Sequence, residues 1–321
     1  MGQRGKLSEE MAKARARRVF ERVLHNRFPT GDVEVRVGHV EFLSRGLTST
    51  VFKAEVVLAP DPEGLTDAYI IRLPDEGRVQ VAERFRREER LLRQLATRKL
   101  SFRIPVVLGL APDGDLLAMV QRFVFGLPLE MNGDQGQKPW RVAGEVAAAI
   151  HGLDCAGLPV SGHATRAAHA REVLAELEDS GDPLVEEAFQ WGMAHLPAAE
   201  SARLLHGDLM GQNLLVVPDL FTDEPEPVGV IDWEYAQLGD PAYDLAILTR
   251  GVRRPFGVAD GFERLLDCYL EAGGFQLIAN EVRLYEIVFV AAWYLELLGE
   301  KPLEAEPRRE QLRRLLAAVS H

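Results

Sequence analysis

The sequence predicts an α+β chain in two lobes, a small antiparallel-sheet lobe followed by a mainly helical one. Three observations carry this. Residues 33–124 read mainly as strands around one helical segment. Gly126, Pro128 and the run from Asn132 to Lys138 then break every pattern. Beyond them, apolar side chains recur at helical spacing almost to the end. With 321 residues and 47% hydrophobic composition, the chain has apolar material for more than one core. The boundaries fall at residues 1–30 (a helical extension), 31–125 and 126–321.

The extension is a helix from about Ser8 to Asn26 with a modest apolar stripe of Met11, Val19, Val23 and Leu24. In the first lobe, VEVRVGHVEFL leads through Arg45-Gly46-Leu47-Thr48-Ser49-Thr50 into VFKAEVVLA, where Phe52, Ala54, Val56 and Leu58 alternate as in a half-buried strand. Pro60 to Gly64 is a turn, AYIIRL a strand, Glu83–Arg98 a helix with Phe85, Leu91, Leu92 and Leu95 inward, and Leu116–Phe125 a further strand. In the second lobe, helices are expected at Trp140–Leu153, Thr165–Leu177 and Pro183–His195. Leu214–Val217 and Val228–Ile231 form a small hairpin. Helices follow at Tyr243–Arg250, Ala259–Glu271, Glu281–Leu298 and Glu306–Val319.

The net charge of −12 disfavours non-specific nucleic-acid binding, and no basic patch interleaves with the four Trp residues. Residues 1–30 are the exception, carrying eight basic side chains against three acids. That stretch is read as a solvated helix packed on the first lobe in preference to a docking arm. No apolar run reaches the roughly 20 residues of a membrane span, and the N-terminus lacks a signal-like apolar region. Cys155 and Cys268 form no metal-spaced set, which fits a reducing cytoplasm. The expectation is a cytoplasmic protein without membrane or nucleic-acid partners. Its oligomeric state is not encoded in any feature of the sequence.

The chemistry is concentrated in LLHGDLMGQNLLVV at 204–217 and VGVIDWEYAQLGDP at 228–241. A carboxylate, an amide five residues later and a second carboxylate after an apolar stretch form the wiring of magnesium-dependent phosphoryl transfer. Asp208 would orient or accept the proton of an incoming hydroxyl. Asn213 would complete a Mg²⁺ shell and Asp232 supply its main carboxylate, since hard Mg²⁺ prefers oxygen donors. His206 is expected to support the turn through a backbone hydrogen bond. Upstream, Gly46, Thr48, Ser49 and Thr50 offer hydroxyls and N–H groups to a triphosphate. Arg72 would pair with phosphates, and Glu88 would hold Arg72. Glu234, Glu176, Glu178, Asp179 and Glu286 are candidate acids for an acceptor pocket, Glu234 foremost. Walker A, GxGxxG, HExxH and CxxC patterns are absent from the sequence.

HGDLMGQNLL at 206–215 and IDWEYAQLGDPAYDLA at 231–246 resemble the catalytic loop and metal-binding segment of the aminoglycoside phosphotransferase family. That family belongs to the protein-kinase-like superfamily, with choline, homoserine, methylthioribose and fructosamine kinases. SRGLTSTVFKAEV resembles its nucleotide loop and REERLLRQL its acid-bearing helix. The segment Gln121 to Leu129, with Gln121 and Phe123, resembles the linker whose backbone meets the adenine. The resemblance implies a bilobal protein-kinase-like fold, Mg²⁺ and ATP or GTP. It also implies Asp208 as catalytic aspartate, Asn213 and Asp232 as metal ligands, and a small-molecule hydroxyl as acceptor. Arg72 stands where the family often has lysine. A serine/threonine activation segment and an APE-like sequence are missing after Asp232, which favours a small acceptor over a protein. The alternatives are a nucleotide-binding scaffold without turnover and an atypical protein kinase.

Overall fold

In the computed structural model, residues 2–27, 34–45, 49–59, 68–75, 80–132, 138–218 and 226–319 are described. The chain divides into two compact units, Met1–Phe125 and Gly126–His321.

The first unit is a five-stranded antiparallel sheet in the order β1-β2-β3-β5-β4 with two helices. Its strands are β1 (Glu34–Arg45), β2 (Ser49–Ala59), β3 (Ala68–Pro74), β4 (Val107–Asp113) and β5 (Leu116–Arg122). β4 is an addition to the sequence reading. Its Gly109 and Pro112 argue against a central strand, and it sits at the sheet edge, where a missing N–H is tolerated.

Helix α1 (Gly2–Arg27) packs on one sheet face through Ala16, Val19, Phe20, Val23 and Leu24, a regular helical stripe. It meets Phe52, Ala54, Val56, Tyr69, Ile71, Leu73, Ala118 and Val120. Met11 does not belong to that stripe. It is 64% exposed, because the stripe extends backwards through Ala12, one residue and about 100° away. The basic side chains of α1 fasten it to the sheet. Arg17 donates to the carbonyls of Val37 (3.1 Å) and Gly38 (2.6 Å), Arg22 to that of Pro112 (2.5 Å), and Arg15 pairs with Asp113.

Helix α2 (Val81–Leu95) buries Val81, Phe85, Glu88, Leu91, Leu92 and Leu95 along one stripe. A glutamate in an apolar stripe requires a cationic partner, which the sheet supplies.

The second unit is mainly helical: α3 (Pro139–His151), α4 (Arg166–Ala175), α5 (Pro183–Ala194), α6 (Ala242–Thr249), α7 (Gly261–Glu271), α8 (Ala279–Glu300) and α9 (Pro302–Val319). Two small antiparallel sheets join them. β6 (Leu127–Pro128), β8 (Leu214–Val216) and β9 (Gly229–Val230) form one, and β7 (Arg203–Leu205) pairs with β10 (Gln237–Gly239) in the other. The hairpin of β8 and β9 matches the sequence reading, whereas β6, β7 and β10 are too short to leave a period in the sequence. α9 begins at Pro302, four residues before the expected start, and runs through Pro307 at the loss of one helical bond. It buries Leu312, Leu315 and Leu316 and packs against α8. No helix among the described residues is long and apolar enough to cross a membrane.

Candidate active site

The second unit assembles its site on the loop that leaves β7. His206 is fully buried. Its Nε2 donates to the carbonyl of Ile231 (2.9 Å), leaving Nδ1 to accept from the backbone N–H of Asp208 (3.3 Å). These two bonds tie 206–208 to the chain just before Asp232. Trp233 packs on that imidazole with ring centroids 4.8 Å apart.

Gly207 is required by space and by backbone. Its φ is +81°, and a Cβ there would lie 2.2 Å from the carbonyl oxygen of Tyr235.

Asn213 ends a 3-10 turn, Gly211–Asn213, and is buried. Its Nδ2 donates to the backbone carbonyl (2.8 Å) and to Oδ2 (3.1 Å) of Asp208. The Ile231 N–H donates to the Asn213 carbonyl (3.0 Å), so the residue before Asp232 is fastened to Asn213. Asp232 itself is left-handed, with φ 68° and ψ 60°, an unusual conformation for a non-glycine residue and one concentrated at functional sites. The structure thus brings Asp208, Asn213 and Asp232 together. Burial, followed by the nearby Asp232 charge, pushes the Asp208 carboxyl above its usual range, against the opposing pull of His206, Asn213 and Arg250.

Sequence reading missed two buried aspartates at and before α6, of which the first described here holds this loop. Asp244, fully buried on α6, accepts from the N–H groups of His206 (2.8 Å) and Gly207 (2.9 Å). It also pairs with His151 Nε2 at 3.2 Å, and His151 Nδ1 meets the Tyr269 hydroxyl at 3.0 Å. Burial works to raise the Asp244 carboxyl, but the His151 and backbone contacts outweigh it and hold it below its usual range.

Asp240 is the second. It accepts from Arg166 Nε (2.7 Å), the Tyr285 hydroxyl (3.1 Å) and the Ala242 N–H (3.3 Å), while Arg166 also meets Glu281 (2.8 Å) and Glu200 (3.2 Å). The Asp240 N–H donates to His169 Nδ1 (3.0 Å), and burial, with the neighbouring His163, brings that imidazole down to about 4. A signal was available in DPAYDLA, where an acid falls among the apolar positions of a helix.

Of the candidate pocket acids, Glu286 is overturned. It lies fully buried in α8, accepting from Thr249 Oγ1, the Gly251 N–H (3.1 Å) and Arg283 (2.5 Å), and so braces the end of α6. Glu176, Glu178 and Asp179 are exposed around the end of α4, and Glu234 is half-buried in the 3-10 turn after Asp232.

In the first unit, Arg72 on β3 donates from one nitrogen to both Glu88 oxygens, each at 2.8 Å. Its guanidinium lies 4.9 Å from the centre of the Phe85 ring. Ser49 is buried at the start of β2, and Thr50 Oγ1 donates to Asp75 (3.2 Å). Strand register pairs Arg72 with Met119 and Ile70 with Gln121, which puts Arg72 and Gln121 on one face of the sheet. Gln121 is buried, and its Oε1 has no hydrogen-bond partner among the described residues. The Phe123 ring lies 5.0 Å from Lys53 Nζ. Gly46 and Thr48 fall outside the described residues.

Comparison with known proteins gives a consistent picture. The family model of the phosphotransferase enzyme family, APH, matches residues 40–287. The GDP and kanamycin complex of APH(2")-IIia is similar in structure with a TM-score of 0.66 at 18% identity, covering 94% of this chain and 99% of that one. Aminoglycoside phosphotransferase APH(4)-Ia gives 0.64 at 18% identity, covering 94% and 98%. Among curated proteins, acyl-CoA dehydrogenase family member 10 of Mus musculus is 39% identical over 69 residues, which is 22% of this chain and only 6% of that protein's length. With the family model spanning most of the sequence, and a fold shared with aminoglycoside phosphotransferase structures, the chain belongs to the APH phosphotransferase enzyme family.

Proposed function

We propose that the protein is a small-molecule kinase that moves the γ-phosphate of ATP or GTP to a hydroxyl of its acceptor. The observation that carries this reading is the bonding of the Asp208 loop by His206, Asn213 and Asp244, with His206 and Asn213 also bonded to Ile231, the residue before Asp232. In the proposed reaction the acceptor oxygen attacks the γ-phosphorus and its proton passes to Asp208. The bond from the γ-phosphorus to the β–γ bridging oxygen breaks, and the nucleoside diphosphate leaves. The raised affinity of Asp208 for a proton suits it to that role.

The donor set fits Mg²⁺. Asn213 commits its amide nitrogen to Asp208, which leaves Oδ1 as an oxygen donor, and the repulsion between Asp208 and Asp232 favours a cation beside them. Asn213 and Asp232 would hold it. When bound, it would supply charge compensation for the phosphate oxygens.

In the first unit, Arg72, held by Glu88, is the proposed phosphate cation. Ser49 and Thr50, with Gly46 and Thr48 before them, are the proposed triphosphate loop. Gln121 and Phe123 are proposed for the base, and Gln121 Oε1, without a hydrogen-bond partner among the described residues, supports a polar ligand there. Glu234 is proposed for the acceptor side.

The test is phosphate transfer from Mg²⁺-ATP and Mg²⁺-GTP to a panel of aminoglycosides, amino alcohols, sugars and hydroxy acids. Asp208→Asn should lower turnover by roughly 10²–10⁴-fold with nucleotide affinity preserved. An unchanged rate in that variant would remove Asp208 from the mechanism.

A further inference from the structure

The turn that ends α6 carries a feature the reaction outlined above does not use. Arg250 adopts φ 50° and ψ 25°, a left-handed conformation that non-glycine residues enter at an energetic cost. Surrounding elements enforce it. Its N–H donates to the Ala246 carbonyl (2.7 Å), and its own carbonyl accepts from Gln311 of α9 (2.9 Å). The next residue, Gly251, donates to Glu286 of α8 (3.1 Å) and accepts from Arg314 (2.9 Å). The fold thus braces a strained backbone at a residue where glycine would be relaxed.

What this holds in place is a guanidinium. The Arg250 side chain is exposed and touches the sulfur of Met210, two residues beyond Asp208. Among the charges acting on Asp208, it opposes the effects of burial and of Asp232. Arg253 and Arg254 follow within four residues and are also exposed.

These three arginines form no ion pair among the described residues. Some other exposed arginines meet acids one helical turn away, as in Arg93–Glu89 (3.0 Å), Arg264–Asp260 (2.9 Å) and Arg313–Glu310 (3.4 Å). In a chain of net charge −12, Arg250 sets a positive charge beside the Asp208 loop. Its field would draw anions toward the loop and weaken the approach of a polycation.

We propose that Arg250 determines acceptor specificity, its guanidinium binding an anionic group, a carboxylate or a phosphate, on the small molecule whose hydroxyl lies at Asp208. The inference rests on the phosphotransferase reading for the identity of the bound molecule as acceptor. A planar guanidinium matches two oxygens of either anion. The acceptor is then a hydroxylated acid or phosphate, chemically unlike the kanamycin bound by the structural relative.

Arg250→Gly is the informative variant, because it removes the cation while suiting the left-handed backbone. Its melting temperature should equal or exceed that of the parent. The probes are glycerate and glycerol 3-phosphate, with glycerol, choline and kanamycin as comparators, titrated calorimetrically into the full chain and assayed for phosphate transfer. The two anionic probes should bind more tightly than glycerol. Arg250→Gly should weaken them at least tenfold without changing nucleotide affinity, and Arg250→Lys should recover part of the loss.

Equal binding by Arg250→Gly and parent would overturn the proposal. So would absence of anionic-probe binding to the parent, or a preference for choline or kanamycin. Failure of the underlying reading looks different. Transfer to choline or kanamycin that Asp208→Asn abolishes keeps the kinase and discards the anionic acceptor. Arg250-dependent anion binding without transfer to any acceptor keeps the anion site and discards the kinase.

Discussion

Asp208 carries opposing demands in one side chain. It is partly buried near a second carboxylate, so its charged form is disfavoured, yet the Asn213 amide donates to it. The consequence for stability has a definite sign. A carboxyl whose pKa is raised on folding binds its proton more tightly in the native state. Its contribution to stability therefore falls as pH rises from the unfolded value of 3.8 through the higher folded value, and stays low above it. Asp208→Asn should accordingly melt higher than the parent at pH 7, with the difference shrinking toward pH 4. Thermal melts across that range decide it, and a lower melting temperature for the variant at pH 7 would contradict the assignment. A group kept at a cost to stability is what a functional carboxylate is expected to show.

At the scale of elements, α2 depends on one charge in its apolar stripe. Glu88 is fully buried at its side chain and Arg72 nearly so, with both carboxylate oxygens engaged. Removing one partner strands the other, so Glu88→Ala should destabilise the first unit by about 3–5 kcal/mol. Replacing both with apolar residues of similar volume, Arg72→Met with Glu88→Leu, should restore most of that stability, because the desolvation of two ions is relieved. Nucleotide binding should stay lost in the double variant. Denaturant melts with nucleotide titration separate the two effects, and an equally unstable double variant would show that the pair contributes more than packing can replace.

The sequence exposed this pair through the order of turn, strand cation and helix acid, with the resemblance of REERLLRQL placing the acid at Glu88. The α6 anchors were less visible. Asp240 and Asp244 carried no role in the sequence reading, because their partners Arg166 and His151 lie 74 and 93 residues away. β7 and β10 were hidden for a related reason. Three-residue strands leave no period, and they exist because each supplies the other's backbone bonds. Glu286 misled in the opposite direction. An acid near the end of the chain was read as pocket-lining, yet its oxygens are used by Thr249, Gly251 and Arg283.

For the whole molecule, the proposed nucleotide groups lie in one unit and the proposed metal ligands in the other. Ligand binding is then the quantity that reports on both. Mg²⁺-ATP or Mg²⁺-GTP at 100-fold over its Kd should stabilise the native state by about 2.7 kcal/mol. Asp232→Asn should abolish most of that gain while leaving the unliganded melt near that of the parent. A full shift by Mg²⁺-nucleotide in Asp232→Asn would remove Asp232 from the metal site, and comparison of the two nucleotides gives the base preference. The basic character of residues 1–30 also resolves at this scale, since Arg15, Arg17 and Arg22 grip strand carbonyls and Asp113 to hold α1 on the sheet.

By itself the sequence determined the class of the protein. Apolar periodicity of two and then 3.6 divides a strand-rich first part from a helical second, and the HGDLMGQN and DWEY segments bring the family with them, because local spacing is a property of the chain alone. Tertiary structure decided what those segments rest on and what surrounds them. Glu286 became a staple, Asp244 the anchor of the loop, and Arg250 an exposed cation beside it. Each of those roles depends on groups brought together across long stretches of chain, whose burial and partners no local pattern records.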